Sequence, residues 1–288
     1  MPELPEVETI RRGLAGWILN KKVVRVEVLC QKSFVGNADR VINSTIIDVD
    51  RKGKALIIRL DRELNIMVHL RMTGQLICVN GEDRFAGGHP NDNFLDKLPN
   101  KQTRVIFYLD DGMKLFFNDQ RKFGFCKVLD NEELARDEFL QKLGKEPWET
   151  NGSELFEVLS RKSVCIKAAL LDQSVIAGLG NIYVDETLFA SELHPETKCR
   201  DIGREKCEEI VNNARKVMEK SLESGGSTIR NYVKADGTKG NYLDLFAKVY
   251  GREGKECAKC GGKINKMRVA GRGTYYCPHC QKKENSCD

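Results

Sequence analysis

The first six residues, Met1-Pro2-Glu3-Leu4-Pro5-Glu6, place a potential nucleophile beside two potential proton carriers. An initiator Met before a small residue such as Pro is expected to be removed, which leaves Pro2 with a free secondary amine. An α-amino group titrates at roughly 7.7–8.0, far below a lysine, so much of it is unprotonated near neutrality. Such an amine can attack an electrophilic carbon and form an iminium, the Schiff-base form of covalent catalysis. Glu3 and Glu6 follow within one helical turn and could carry the protons. The same residues also suit a plain helix start, with Pro in the first turn and Glu beside the positive dipole end. Taken alone they fit that plainer role better, because such starts are common.

A second chemistry is written near the other end. Cys257-x2-Cys260, sixteen residues, then Cys277-x2-Cys280 is a four-thiolate zinc pattern. A two-residue gap lets one turn present both sulfurs to a tetrahedral ion. Four protein ligands close the site, so the expected Zn2+ is structural, with no position left for a catalytic water. Lys263, Lys266, Arg268 and Arg272 lie between the pairs, and a two-stranded ribbon would present them as a basic finger. So small a module has too little core to fold without its metal.

Three further groups are ambiguous on residue types alone. Gly178-Leu179-Gly180-Asn181 precedes a helix, where backbone N–H groups could approach an anion, with Lys167 on the helix before it. An ordinary Gly-rich corner explains the same residues equally well. Gln120-Arg121-Lys122-Phe123-Gly124 and His69-Leu70-Arg71-Met72-Thr73-Gly74 place Phe and Met at strand ends. These are side chains that can wedge between base steps, or simply core residues. Arg51-Lys52-Gly53-Lys54 supplies three cations before a strand, which also describes a solvated edge.

The elements that must position these groups fall into three stretches. Pro5–Ile18 reads as an amphipathic helix with Val7, Ile10, Leu14, Trp17 and Ile18 on one face. Eight strand-like runs follow, Val23–Leu29, Thr45–Asp50, Ala55–Leu60, Asn65–Leu70, Gln75–Val79, Arg104–Leu109, Lys114–Phe117 and Gly124–Leu129, which predict a sandwich or barrel. Residues 80–103 read as a polar loop. From Asn131 the period becomes helical: Glu132–Leu143, Ser153–Ser160, Ile166–Leu171, Ile182–Leu193 and Gly203–Leu222. The tract Glu223–Gly240 reads as a mobile loop.

The 288 residues suffice for about two domains, and no apolar run reaches the ~20 residues of a membrane span. No secretory signal is expected, since the N-terminus is acidic. The other cysteines are scattered through apolar segments, which fits a reducing cytoplasm better than a disulfide framework. The net charge of +5 lies wholly in residues 251–288, where nine Lys/Arg face four Asp/Glu. That concentration fits either a solvated basic tail or a nucleic-acid footprint.

Taken together the motifs resemble the formamidopyrimidine-DNA glycosylase family, the bacterial 8-oxoguanine repair enzymes. The matching segments are PELPEVET at 2–9, HLRMTG at 69–74, QRKFG at 120–124, IKAALLDQ at 166–173, AGLGNIYVDE at 177–186 and YYCPHCQ at 275–281, in the family's order along nearly the whole chain. PELPEVET is closer to this branch than to the endonuclease VIII branch, which begins with a PEGPE-like sequence.

The resemblance implies an α+β multidomain fold: an N-terminal β-sandwich with flanking helices over 1–130, a helix–two-turns–helix domain over 131–244, a zinc-finger hairpin over 245–281 and a disordered tail over 282–288. Damaged double-stranded DNA would lie in the cleft between the lobes of a monomer, with no organic cofactor. It implies Pro2 as the Schiff-base nucleophile, Glu3 as proton donor, Glu6 in support and Lys54 as a proton carrier for elimination. Met72, Arg121 and Phe123 would fill the hole left by the everted base. Lys167, Asn181 and Arg272 would grip phosphates, and Arg272 would assist δ-elimination. Residues 223–240 would close over the flipped base. Two positions depart from the family pattern. Lys122 replaces an Arg, which keeps the charge but loses the bidentate fork of a DNA contact. Gln102 replaces a His. The implied activity is base-excision repair of oxidised purines with abasic-site lyase activity. The competing expectations are endonuclease VIII-like specificity for oxidised pyrimidines and a non-enzymatic lesion binder.

Overall fold

Helix α1 (Leu4–Ile18) forms where the 3–4 spacing of Val7, Ile10, Leu14 and Ile18 builds one apolar stripe, and all four are at most 1% exposed. Trp17 lies at the margin of the stripe, half-buried, with its ring 6.4 Å from that of Phe85. The computed structural model describes residues 1–89, 97–225 and 245–283. They form two compact units, one built on Met1–Gln141 and one on Lys142–Glu223 with the chain from Tyr242 onward.

The first unit is a sandwich of two five-stranded sheets. Its strands are β1 (Val23–Val28), β2 (Phe34–Val35), β3 (Ile46–Lys52), β4 (Ala55–Leu60), β5 (Leu64–His69), β6 (Gly74–Asn80), β7 (Asp83–Gly88), β8 (Thr103–Leu109), β9 (Lys114–Asp119) and β10 (Phe125–Asp130). One sheet runs β1-β8-β9-β6-β7 and the other β2-β10-β5-β4-β3. Among these described strands only β2 and β10 pair in parallel. Alternate residues of both sheets, such as Leu76, Phe107 and Phe117 from one and Leu56, Ile58 and Val68 from the other, meet the α1 stripe in a single core.

Residues 80–103 are not all loop, because β7 lies within them. Its Gly87-Gly88 ending hides the strand. A Cβ on Gly87 would come within 2.6 Å of Ile10 on α1, and one on Gly88 (φ +130°) within 2.4 Å of the Gly74 carbonyl. Close approach of helix and sheet therefore removes the side chains that mark a strand. Leu98 then packs on a cluster of Ile77, Ala86, Ile106 and Phe116 on the outer face of this sheet. The two-residue β2 also went unread, being too short to show a period. The helix expected over Glu132–Leu143 is two short ones, α2 (Asn131–Ala135) and α3 (Glu138–Gln141). Asp137 ends the first and starts the second: its carboxylate binds Lys127 Nζ at 2.6 Å and the Leu140 N–H at 3.1 Å.

The second unit holds α4 (Gly152–Leu159), α5 (Ile166–Leu171), α6 (Asn181–Ala190), α7 (Arg204–Glu223) and the hairpin β11 (Asn265–Val269) with β12 (Arg272–Tyr276). Most of the tract Glu223–Gly240, and the tail beyond Lys283, lie outside the described residues. Among the described residues no helix is long and apolar enough to cross a membrane.

One carboxylate ties α1 to the sandwich. Glu8 accepts Arg11 Nε at 2.9 Å, Arg12 Nε at 2.8 Å and Arg51 Nε at 3.2 Å. Arg11 reaches on to the Val49 carbonyl at 3.1 Å, and Arg51 to the Gly53 carbonyl at 3.0 Å. Burial raises the Glu8 pKa, but the three guanidinium groups outweigh it and hold the carboxyl at about 2. Because that value is below the ordinary 4.5, the stabilisation is complete above about pH 4.5 and is lost as pH falls toward 2. Glu8→Gln should therefore lower unfolding free energy at pH 7 by about 2 kcal/mol and flatten its decline between pH 4.5 and 2. Denaturant titrations across that range check both effects.

Candidate functional site

Pro2 is buried, and Glu3 and Glu6 are only 3% and 4% exposed. The two acids face one another across the helix start in a capping box, with the Glu3 N–H donating to Glu6 Oε2 at 2.8 Å. Both carboxylates thus sit at the positive end of α1. The turn carrying Lys54, which is 5% exposed, is linked to the same helix through Glu8, Arg51 and the Gly53 carbonyl. Next to it, Ala55 pairs with His69 across β4 and β5. Burial, Arg71 and Lys54 together push the His69 imidazole down to about 3, so it is neutral at physiological pH. Its Nδ1 accepts the Arg71 N–H at 3.0 Å, which assigns the ring proton to Nε2. The structure thus gathers Pro2, Glu3 and Glu6 in one turn and ties the Lys54 turn to that helix.

Met72 and the Arg121–Phe123 loop meet at one side chain that no local sequence motif marks. Asp119, at the end of β9, has 0% exposure. Its Oδ2 accepts the N–H groups of Phe123 at 2.8 Å and Gly124 at 2.7 Å, and its Oδ1 accepts that of Arg121 at 3.1 Å. Thr73, beside Met72, donates its hydroxyl to Oδ1 and accepts the Arg121 N–H at 3.0 Å. Arg121 and Lys122 are exposed, Phe123 is 51% exposed and Met72 is half-buried. Arg121 Cζ stands 4.9 Å from the Phe123 ring centroid. Lys122 has φ +57°, a left-handed conformation costing about 1 kcal/mol for a residue with a Cβ. Gln102, 6% exposed, supports the platform through its main-chain carbonyl, which accepts the Asp119 N–H at 2.9 Å.

In the second unit, Gln173 shapes the Gly-rich corner. Its side chain accepts the Gly178 N–H at 3.0 Å and donates to the Leu179 carbonyl at 2.8 Å. Lys167, Asn181 and the turn of Arg272 converge. Asn181 Nδ2 donates to the Gly273 carbonyl at 2.9 Å, and Lys167 Nζ reaches the same oxygen at 3.4 Å. Arg272 is exposed beside them, but Lys167 has no exposed surface, because its ammonium is paired with Asp185 Oδ1 at 2.6 Å. Burial pushes the Asp185 carboxyl up to about 6 against that attraction. Asp185 Oδ2 in turn accepts the Tyr275 N–H at 2.9 Å. Glu186, the next residue, accepts the N–H groups of Lys248, Val249 and Tyr250 at 2.8–2.9 Å. One turn of α6 therefore grips the whole terminal module.

The four cysteines of that module present sulfurs within 4.8 Å of one another. Cys257 and Cys280 Sγ are 3.9 Å apart, and Cys260 and Cys277 Sγ 3.5 Å. Four thiolates around a tetrahedral ion at ~2.3 Å stand about 3.8 Å apart, so the donor set fits a closed structural metal site. His279 is exposed and outside this group. Cys257 and Cys277 pack with Phe189, Val249 and Ile264, so loss of the metal would also open that small core. Displacing the thiolates with a mercurial should release one divalent ion per chain. Amide exchange in β11 and β12 should then rise while α1 stays protected, and hydrogen-exchange mass spectrometry reads both.

Comparison with known proteins gives these groups a common context. Residues 1–126 match the model of the formamidopyrimidine-DNA glycosylase N-terminal domain, residues 143–233 that of the glycosylase H2TH domain, and residues 254–283 a zinc finger found in FPG and IleRS. The formamidopyrimidine-DNA glycosylase of Pelotomaculum thermopropionicum is 38% identical, covering 98% of this chain and 99% of its own. That of Latilactobacillus sakei is 36% identical, covering 99% and 100%. Among solved structures, Lactococcus lactis Fpg in complex with an abasic site containing DNA superposes with a TM-score of 0.85 at 31% identity, over 98% of this chain and 100% of that one. MutM in complex with carbocyclic 8-oxo-G containing DNA gives 0.84 at 31%, with the same coverage. From the buried Pro-Glu helix start to the four-cysteine hairpin, this chain belongs to the formamidopyrimidine-DNA glycosylase family.

Proposed function

We propose that the protein is a bifunctional base-excision repair enzyme that removes oxidised purines, 8-oxoguanine and formamidopyrimidines, from duplex DNA and then cleaves the abasic strand. The observation that carries this reading is the helix start, where Pro2 and two carboxylates are buried together in a chain that matches glycosylases end to end. A binding protein has no use for a buried amine flanked by acids.

Once Met1 is removed, the Pro2 nitrogen attacks C1′ of the everted nucleotide and the base leaves with a proton. Glu3 donates a proton to O4′ as the sugar ring opens, which leaves an iminium between Pro2 and C1′. The iminium carries a fixed positive charge at the positive end of a helix. The carboxylates of Glu3 and Glu6 offset both. The iminium acidifies the C2′ proton. Its removal breaks the C3′–O bond and releases the 3′ phosphate. A second elimination breaks the C5′–O bond, and water then frees the amine. Lys54, whose turn is tied to the same helix through Arg51 and Glu8, carries protons for the eliminations.

Eversion of a base costs a few kcal/mol, which the wedge of Met72, Arg121 and Phe123 offsets from within the duplex. Arg272, with Asn181 beside it, holds backbone phosphate and assists δ-elimination. Lys167 acts through its carbonyl and carboxylate partners, which set the Arg272 turn. Lys122 supplies a single-point phosphate contact. One Zn2+ held by Cys257, Cys260, Cys277 and Cys280 keeps the finger folded. This repair would take place in a reducing cytoplasm, where cysteines scattered through apolar segments stay as thiols.

Duplexes carrying single defined lesions test the reading. A duplex with 8-oxoguanine opposite cytosine should be nicked with phosphate on both sides of a one-nucleotide gap, and one with adenine opposite should react little. An N-terminal extension that blocks the Pro2 amine should slow cleavage by about 1,000-fold or more. Preference for oxidised pyrimidines would favour the endonuclease VIII-like alternative, and tight binding without nicking would favour a lesion sensor.

A further inference from the structure

Among the described residues Asp119 forms no ion pair, yet it is wholly buried and saturated with hydrogen bonds. A buried carboxylate without such partners would be strongly unfavourable, so the four donors and the carboxylate hold one another in place. Three of those donors are backbone N–H groups from the loop that carries Arg121 and Phe123, and the fourth is the hydroxyl next to Met72. The N–H groups flank Lys122, whose left-handed backbone the loop must keep. Gly124 has no room for a side chain: a Cβ there would stand 2.8 Å from the Phe117 ring and 2.9 Å from the His69 carbonyl. Arg104 closes the back of the platform, donating Nε to the Asp119 carbonyl at 2.8 Å and Nη1 to the Lys101 carbonyl at 3.0 Å.

We propose that Asp119, with Thr73, is a positioning residue that joins the Met72 turn to the Arg121–Phe123 loop and sets the geometry of both before DNA binds. This rests on the wedge reading of those three side chains. If Arg121 reads the base opposite the lesion, the joint also governs how strictly that base is read. The cause is geometric. Arg121 and Phe123 are exposed and gain no fixed position from packing, so their backbone is held from beneath. Preorganised groups lose activity steeply when displaced by an ångström.

Asp119→Asn tests this with little change of shape. Whichever way the amide is turned, its NH2 replaces an oxygen that now faces donors. Thr73→Val removes the hydroxyl link, and Thr73→Ser restores it. In the free protein, the Arg121, Phe123 and Gly124 amides should exchange at least about 10-fold faster in Asp119→Asn, with the rest of β9 unchanged. Single-turnover excision at 8-oxoguanine opposite cytosine should fall about 30-fold, and the preference for cytosine over adenine should shrink. Cleavage of an abasic site in single-stranded DNA needs no wedge and should stay within about twofold. Thr73→Val should follow Asp119→Asn in direction and Thr73→Ser should match wild type; this pair decides the matter if Asp119→Asn does not fold. Unchanged exchange and unchanged base preference would overturn the proposal. So would an equal loss on single-stranded abasic DNA. A wild type inert on every lesion duplex, with loop protection that still depends on Asp119, would sink the glycosylase reading and leave the loop-fixing role. An active wild type whose loop is indifferent to Asp119 would overturn the positioning role alone.

Discussion

A carboxylate that accepts backbone N–H groups is the interaction on which both units of this molecule depend. Glu6 binds the Glu3 amide and fixes the start of α1. Asp119 binds three amides of the Arg121–Phe123 loop. Asp185 and Glu186 bind four amides of the terminal module. Each acid is at most 4% exposed, so each bond is made in a medium of low dielectric and is stronger than it would be in water. Irregular backbone carries the candidate site residues here, and irregular backbone cannot satisfy its own amides. The acids supply the missing acceptors and fix the geometry as they do so.

The same device explains why the candidate site residues were more legible in the sequence than their supports. Pro2, Glu3 and Glu6 lie within five residues, and the cysteine pairs have metal-ligand spacing, so both could be read locally. Asp119 sits one residue before QRKFG and resembles any strand-ending Asp; its link to Thr73 spans 46 residues. Lys167 and Asp185 are 18 residues apart, and nothing in either segment announces the pair. Strand β7 was hidden by Gly87 and Gly88, whose side chains are absent because α1 and β6 come too close. The sandwich periods, the α1 stripe and the helix over Ile166–Leu171 follow local spacing and were readable. Apart from β2, which is too short to show a period, what escaped depends on contacts between segments apart in sequence.

The division of charge has a structural counterpart. The basic excess falls in residues 251–288, and Lys263, Lys266, Arg268 and Arg272 are all exposed on or beside the β11–β12 hairpin. In the first unit, by contrast, Arg11, Arg12 and Arg51 share Glu8 and serve the fold. An exposed cation on this hairpin can meet phosphate, although Lys266 also pairs with Glu253 at 3.5 Å, whereas a guanidinium paired to a buried acid cannot. Net charge alone does not separate these two uses; the partners of each side chain do.

The central claim is that the helix start exists to hold the Pro2 amine as a nucleophile. Borohydride reduction during reaction with lesion DNA, followed by mass spectrometry of the trapped peptide, tests it directly. The account predicts one covalent adduct per chain, carried by an N-terminal peptide that begins at Pro2 and has the opened sugar on its amine. An adduct on a lysine, or none at all while the strand is still cut, would contradict it.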